Sequence, residues 1–175
     1  MTDTVIIVCL LAVALVGCAS PSRSGLESIG LSIGAPIEIP PQRAHAILQN
    51  GRLAGSSNKI APYCELEVRR VSGEEPQWIR QGTFRIGRVS ERILIDPTTR
   101  IPAFFQVTSC SDPLFQESVW WLESQAPSQV LFLRCIAPYY NCRFGPPLSV
   151  EQVRQVVGDH LIIDTAEPAG RSSGR

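Results

Sequence analysis

Lysine is almost missing from this sequence. Of sixteen cationic residues fifteen are arginine and one, Lys59, is lysine. Sixteen acidic residues balance them to a formal net charge of zero. That balance leaves no basic footprint for nucleic acid and no polybasic attraction to anionic lipid. Histidine is nearly as scarce: His45 and His160 are alone, and no two cysteines are spaced C-x-x-C. A zinc site needs such a ligand set, so no metal is expected. No Gly-rich phosphate loop is present either, and no cofactor is implied. The longest apolar run, Val5 to Val16, has twelve residues, short of the ~20 that a membrane-crossing helix requires.

That run (VIIVCLLAVALV) has the length of a signal-peptide core. It ends in Leu15-Val16-Gly17-Cys18, followed by Ala19 and Ser20. This segment resembles the lipobox of bacterial lipoproteins. The leader MTDT departs from the pattern in carrying Asp3 and no basic residue. The resemblance implies that residues 1–17 are removed and that Cys18 becomes a lipidated first residue. Several acyl chains, at ~0.8 kcal/mol per buried methylene, would hold the chain on a bilayer without a protein span. Ala19, rather than Asp, after the cysteine implies the periplasmic face of the outer membrane in Gram-negative members.

Export would leave four domain cysteines: Cys64, Cys110, Cys135 and Cys142. An even number in an oxidising compartment reads as two disulfides. Three connectivities are open. Cys64 and Cys135 lie in strand-like runs, while Cys110 and Cys142 lie in turn-rich ones. Pairing strand with strand and loop with loop gives Cys64–Cys135 and Cys110–Cys142. The rival is Cys64–Cys110 with a local Cys135–Cys142 bridge.

Residues 18–34 are small and polar and read as a flexible tether. Residues 165–175 (TAEPAGRSSGR) lack apolar periodicity and read as a disordered tail. Between them, 35–164 is expected to be one β-rich domain. Residues 44–49 run into Asn50-Gly51, a strong hairpin signal. Tyr63 to Arg70 alternates, with Cys64, Leu66 and Val68 on one face and Glu65, Glu67 and Arg69 on a wet one. Further strands are expected at 83–89, 92–96 and 103–108. Val119–Glu123 and Val130–Ile136 form a second hairpin across residues 125–128, apolar on both faces. Ser149 and Gln152 make a capping box before Val150, Val153 and Val157, so one helix is expected there, stopped by Gly158. Leu161–Ile163 closes the domain as a strand. The expected fold is mainly β: an antiparallel sandwich or barrel-like sheet with one C-terminal α-helix.

The stretches AHAILQNGR (44–52), YCELEV (63–68), LRC (133–135) and LSVEQVRQVVGD (148–159) together make most of the domain similar to a group of uncharacterised proteobacterial lipoproteins. That group has no established activity, so the resemblance implies a domain and no mechanism. It also leans toward the Cys64–Cys135 pairing.

Each chemical motif has a plainer explanation. Gly30-Leu31-Ser32-Ile33-Gly34 spells G-x-S-x-G, but Pro36, Pro40 and Pro41 stand where the helix of a nucleophile elbow would begin. His45 has no local partner that would make it a general base. His160 beside Asp159 is an ordinary polar helix end. Glu65 and Glu67 share a strand face ~7 Å apart, as wet strand faces commonly do. The aromatic pairs are more informative. One of Trp120 and Trp121 must face the core and the other outward. Tyr139 and Tyr140 lie in a proline-flanked loop that a Cys142 disulfide would stiffen. These four are the candidate partner or ligand contacts. The expected function is a membrane-tethered, non-catalytic accessory or binding module of the cell envelope, anchored through Cys18 and docking an envelope protein. The alternative is an envelope hydrolase or small-ligand-binding β-barrel.

Overall fold

The computed structural model of the chain describes residues 29–103, 112–141 and 143–165. Within them lie strands β1 (Ile29–Ile33), β2 (Ile37–Ile39), β3 (His45–Gln49), β4 (Arg52–Ala54), β5 (Tyr63–Val68) and β6 (Gln77–Ile79). Then follow β7 (Thr83–Asp96), β8 (Ile101–Pro102), β9 (Leu114–Glu123), β10 (Val130–Tyr139), helix α1 (Val150–Val157) and β11 (Leu161–Thr165). The fold is mainly β, a curled antiparallel half-barrel with, among the described residues, a single short α-helix near its C-terminal end. Nine strands form one sheet in the order β11-β1-β7-β9-β10-β5-β3-β4, with β8 beside β7, while β2 and β6 pair separately.

Local sequence explains the elements closest to each other. Asn50 and Gly51 both take positive φ, 54° and 74°, the primed turn that matches the twist of a hairpin, and β3 pairs with β4 across it. Ser149 caps α1 through the Gln152 amide while the Gln152 side chain reaches back to the Ser149 amide. At the other end Gly158 has φ 57°. Its Cα hydrogens meet Gly51, so a Cβ there would sit 2.7 Å from the Gly51 Cα and carbonyl oxygen. The Gly51 amide also donates to the Val156 carbonyl at 2.9 Å. The first hairpin turn is thereby fastened to the end of the helix. Arg154 fastens the other side, donating from Nε and Nη2 to the Ile163 carbonyl.

Period-two alternation sorts the strands onto two faces. One face packs Leu31, Leu48, Cys64, Leu66, Phe84, Ile86, Trp120, Leu133 and Cys135 against Val153, Val156 and Val157 of α1. Cys64 and Cys135 are directly opposed in register and joined by a disulfide inside this core. Cys110 and Cys142 lie outside the described residues, as do the segment 1–17 with its lipobox, Cys18 and the tether to residue 28, residues 104–108 of the strand expected at 103–108, and residues 166–175.

Four expectations need correction. The tether does not extend to residue 34: Ile29–Ile33 is strand, inserted between β11 and β7. Its Ile29 and Leu31 are buried, and burial against strands from distant parts of the chain outweighs the Gly/Ser composition. Residues 83–96 are one continuous strand, held in register along β9 through a bulge at Gly87, with no turn at Ser90-Glu91. The wet face of β5 is not wet, since Glu65 is 8% exposed. Nor is the β9–β10 hairpin apolar on both faces, because it buries Glu117 and Arg134.

Candidate functional site

The second face of the sheet holds these charges. Register sets Arg134 on β10 opposite Glu65 on β5 and Arg92 on β7 opposite Glu117 on β9. Arg134 lies at the centre. Its Nη2 donates to Glu65 Oε2 and lies 3.8 Å from Glu67 Oε2. Its Nη1 is 4.0 Å from Glu117 Oε2. Glu117, wholly buried, accepts from Arg92 Nε at 2.5 Å. Arg100, in the turn after β7, approaches Glu67 to 3.6 Å. In the sheet β9 and β10 lie between β7 and β5, so Arg100 reaches across the face about which the sheet curls. Lys59 does the same from the loop before β5, bonding Asp96 at the end of β7 at 2.9 Å.

Three carboxylates thus meet three guanidiniums, which keeps the cluster neutral. Neutrality is what allows it to be buried: an uncompensated charge there would cost several kcal/mol. A stripe of Ile47, Tyr63, Leu94, Phe115 and Ile136 seals one end. Burial, with the Glu65 charge alongside, pushes the Tyr63 phenol up to about 12. Lys59, then the Thr98 amide and Thr99 hydroxyl, hold the Asp96 carboxyl well below the usual carboxylate range.

At the other end the cluster opens into a pocket of about 320 Å³ lined by Ser90, Glu91, Arg92, Arg100, Val119, Trp121, Phe132 and Arg134. The Trp121 and Phe132 rings meet edge to face at 5.0 Å, and the Arg88 guanidinium lies 4.7 Å from the Trp121 ring centre. Arg134 Nε and Nη1, Glu117 Oε2 and Trp121 Nε1 are buried with no hydrogen-bond partner among the described residues, Nη1 and Oε2 facing each other at 4.0 Å.

The aromatic candidates separate. Trp120 is 2% exposed and packs in the helix-side core, so its ring is covered rather than presented at the surface. Trp121 is half-buried at the pocket. Tyr139, expected in a loop, instead ends β10 opposite Leu114, packs its ring over Gly145 and donates its hydroxyl to the Pro146 carbonyl. Tyr140 is exposed, with its hydroxyl on the Ile60 carbonyl.

The candidate catalytic residues take separate places, and His45, expected to lack a partner, has one in Glu65, which the β3–β5 register brings beside it. Ser32 sits within β1, opposite Ile162 and Thr83, and strand β2 follows it where an elbow has a helix. His45 Nε2 lies 4.0 Å from Glu65 Oε1, beside a pocket of about 200 Å³ that also takes Glu38 and Arg43. His160 occupies the turn after α1, where its carbonyl accepts from the Gly34 amide. Among the described residues no group of three His, Cys, Asp or Glu is arranged to hold a metal ion.

Sequence reasoning missed the centre of the site. The available signal was Arg134, a lone charge in the apolar run Val130–Ala137. Such a residue needs a buried partner. Compared with known proteins, the chain matches no family model, no curated protein and no solved structure.

Proposed function

We propose that this chain is a lipid-anchored protein of the outer membrane's periplasmic face whose half-barrel serves as a non-catalytic binding module. Cys18, in its lipobox-like setting, is the anchor. The observation that carries the binding reading is the way the carboxylates are used. Glu65 is engaged by Arg134, Glu117 by Arg92, and Glu67 lies between Arg100 and Arg134. A general acid–base pair needs carboxyl groups whose proton is exchangeable with a substrate. Glu65 and Glu117, each hydrogen-bonded to an arginine, instead hold those arginines in place, which suits recognition. The buried Cys64–Cys135 disulfide supports an oxidising compartment.

Lipidation is tested by replacing Cys18 with Ala in a Gram-negative host. The native protein should pellet with membranes, and the variant should lose the lipid mass and leave with the periplasmic fraction. A Cys18→Ala protein that still matures with a lipid-sized mass addition would remove the anchor. Tyr140, exposed in its loop, favours a second use of the module, docking to an envelope protein.

A further inference from the structure

We propose that the pocket at Arg92, Arg100, Arg134, Val119, Trp121 and Phe132 binds a small organic carboxylate with a compact apolar body. The inference rests on reading the domain as a binding module and names its ligand class.

The unpartnered groups in the wall point to the charge of the ligand. Arg134 has a side chain 5% exposed; its Nε, with Trp121 Nε1, has no hydrogen-bond partner among the described residues, and its Nη1 has only Glu117 Oε2, 4.0 Å away and itself unbonded. A guanidinium and an indole N–H donate and never accept, so their missing partner is an acceptor. Leaving a buried polar group unpaired is costly, which rewards a ligand that supplies the acceptor. The wall itself carries Arg92, Arg100 and Arg134 against Glu91; the balancing Glu65, Glu67 and Glu117 are not part of it. Glu67 is only loosely held, 3.6 Å from Arg100 and 3.8 Å from Arg134. These two guanidiniums therefore keep capacity for a second carboxylate, and the exposed Arg88 guanidinium over the Trp121 ring, outside the three neutral pairs, offsets the charge it adds.

The other half of the wall points to the ligand's body. Val119, Trp121 and Phe132 are apolar, and the edge-to-face ring pair gives that side a fixed shape. A volume of about 320 Å³ sits at the small end of ligand pockets. Arginine pairs planar carboxylates through two parallel bonds, whereas a bare phosphate would leave the apolar half unused.

Benzoate is a suitable probe for calorimetric titration of the purified full chain, with benzyl alcohol, acetate and inorganic phosphate as comparisons. Saturable benzoate binding is expected, with benzyl alcohol and acetate each at least about tenfold weaker. Arg100→Gln should weaken benzoate by about tenfold without changing the circular dichroism spectrum, because Arg100 is half-exposed and its contact with Glu67 is long. Trp121→Phe should weaken benzoate while leaving acetate unchanged. No saturation by benzoate up to about 10 mM overturns the proposal, as does equal binding by Arg100→Gln. Phosphate binding as tightly as benzoate also overturns it, since the site would then read charge alone. A failure here leaves Cys18 lipidation and Tyr140 docking intact, so the binding-module reading falls only if those fail separately.

Discussion

Replacing Arg134 with Met should be among the most damaging single substitutions in this domain. Met approximates the arginine stem and fills its space, so packing changes little. What changes is the charge: Glu65, 8% exposed, and Glu117, wholly buried, lose their central cation. Removing one partner of a buried pair costs about 3–5 kcal/mol because the remaining charge stays desolvated. Domains of this kind have only about 5–15 kcal/mol in total, so the melting temperature should fall by about 10–20 °C. Arg85–Glu123 is the natural comparison, a pair between the neighbouring strands β7 and β9 with side chains 72% and 57% exposed. Breaking it should cost about 0–1 kcal/mol. The double variant Arg134→Met/Glu65→Leu should recover part of the loss, because one orphaned carboxylate is gone while Glu117 keeps Arg92. Urea unfolding under non-reducing conditions, with the disulfide intact, measures all four proteins. A loss below about 1 kcal/mol for Arg134→Met, matching the surface pair, would refute the view that this cluster is desolvated and mutually dependent.

Cys64→Ala/Cys135→Ala should cost about 2–4 kcal/mol in urea unfolding, since the bridge closes a separation of 71 residues; reduction without change in the midpoint would contradict it. Gly158→Ala should cost about 2–3 kcal/mol through positive φ and collision with Gly51, whereas Gly73→Ala, with nothing near its Cβ, should be almost neutral in the same thermal melts. Tyr63 keeps its proton when folded up to about pH 12, while the unfolded chain releases it near ~10. Its contribution is therefore complete below about pH 10 and lost as pH rises toward 12. Comparing urea midpoints at pH 8 and 11 should show a steeper fall in the native protein than in Tyr63→Phe, and equal slopes would refute the assignment.

Elements whose signals lie within a few residues were legible in the sequence. The Asn50-Gly51 turn, the Ser149 and Gln152 capping box and the alternation of Cys64, Leu66 and Val68 all formed as their chemistry dictates. β1 was not legible, because Gly30, Ser32 and Gly34 imitate a linker. What makes it a strand is β11, more than a hundred residues away in sequence, which pairs with Ile29–Ile33. β7 looked like two strands because Ser90, Glu91 and Arg92 interrupt the apolar pattern, yet β9 holds them in register. The site failed to show for the same physical reason. Glu65 and Glu67 look solvated until Arg134, 69 residues from Glu65, is brought opposite by the β5–β10 register. The tryptophan pair was half legible: alternation required one ring inward, and only the packing of α1 shows that Trp120 is that ring.

The intact mass of the mature protein, extracted from the envelope of a Gram-negative host, tests the proposed function most directly. The expected result is a chain beginning at Cys18 and carrying the mass of a diacylglyceryl thioether and an amide-linked acyl chain. A mature chain beginning at any other residue, or beginning at Cys18 with a free thiol, would contradict a tethered module.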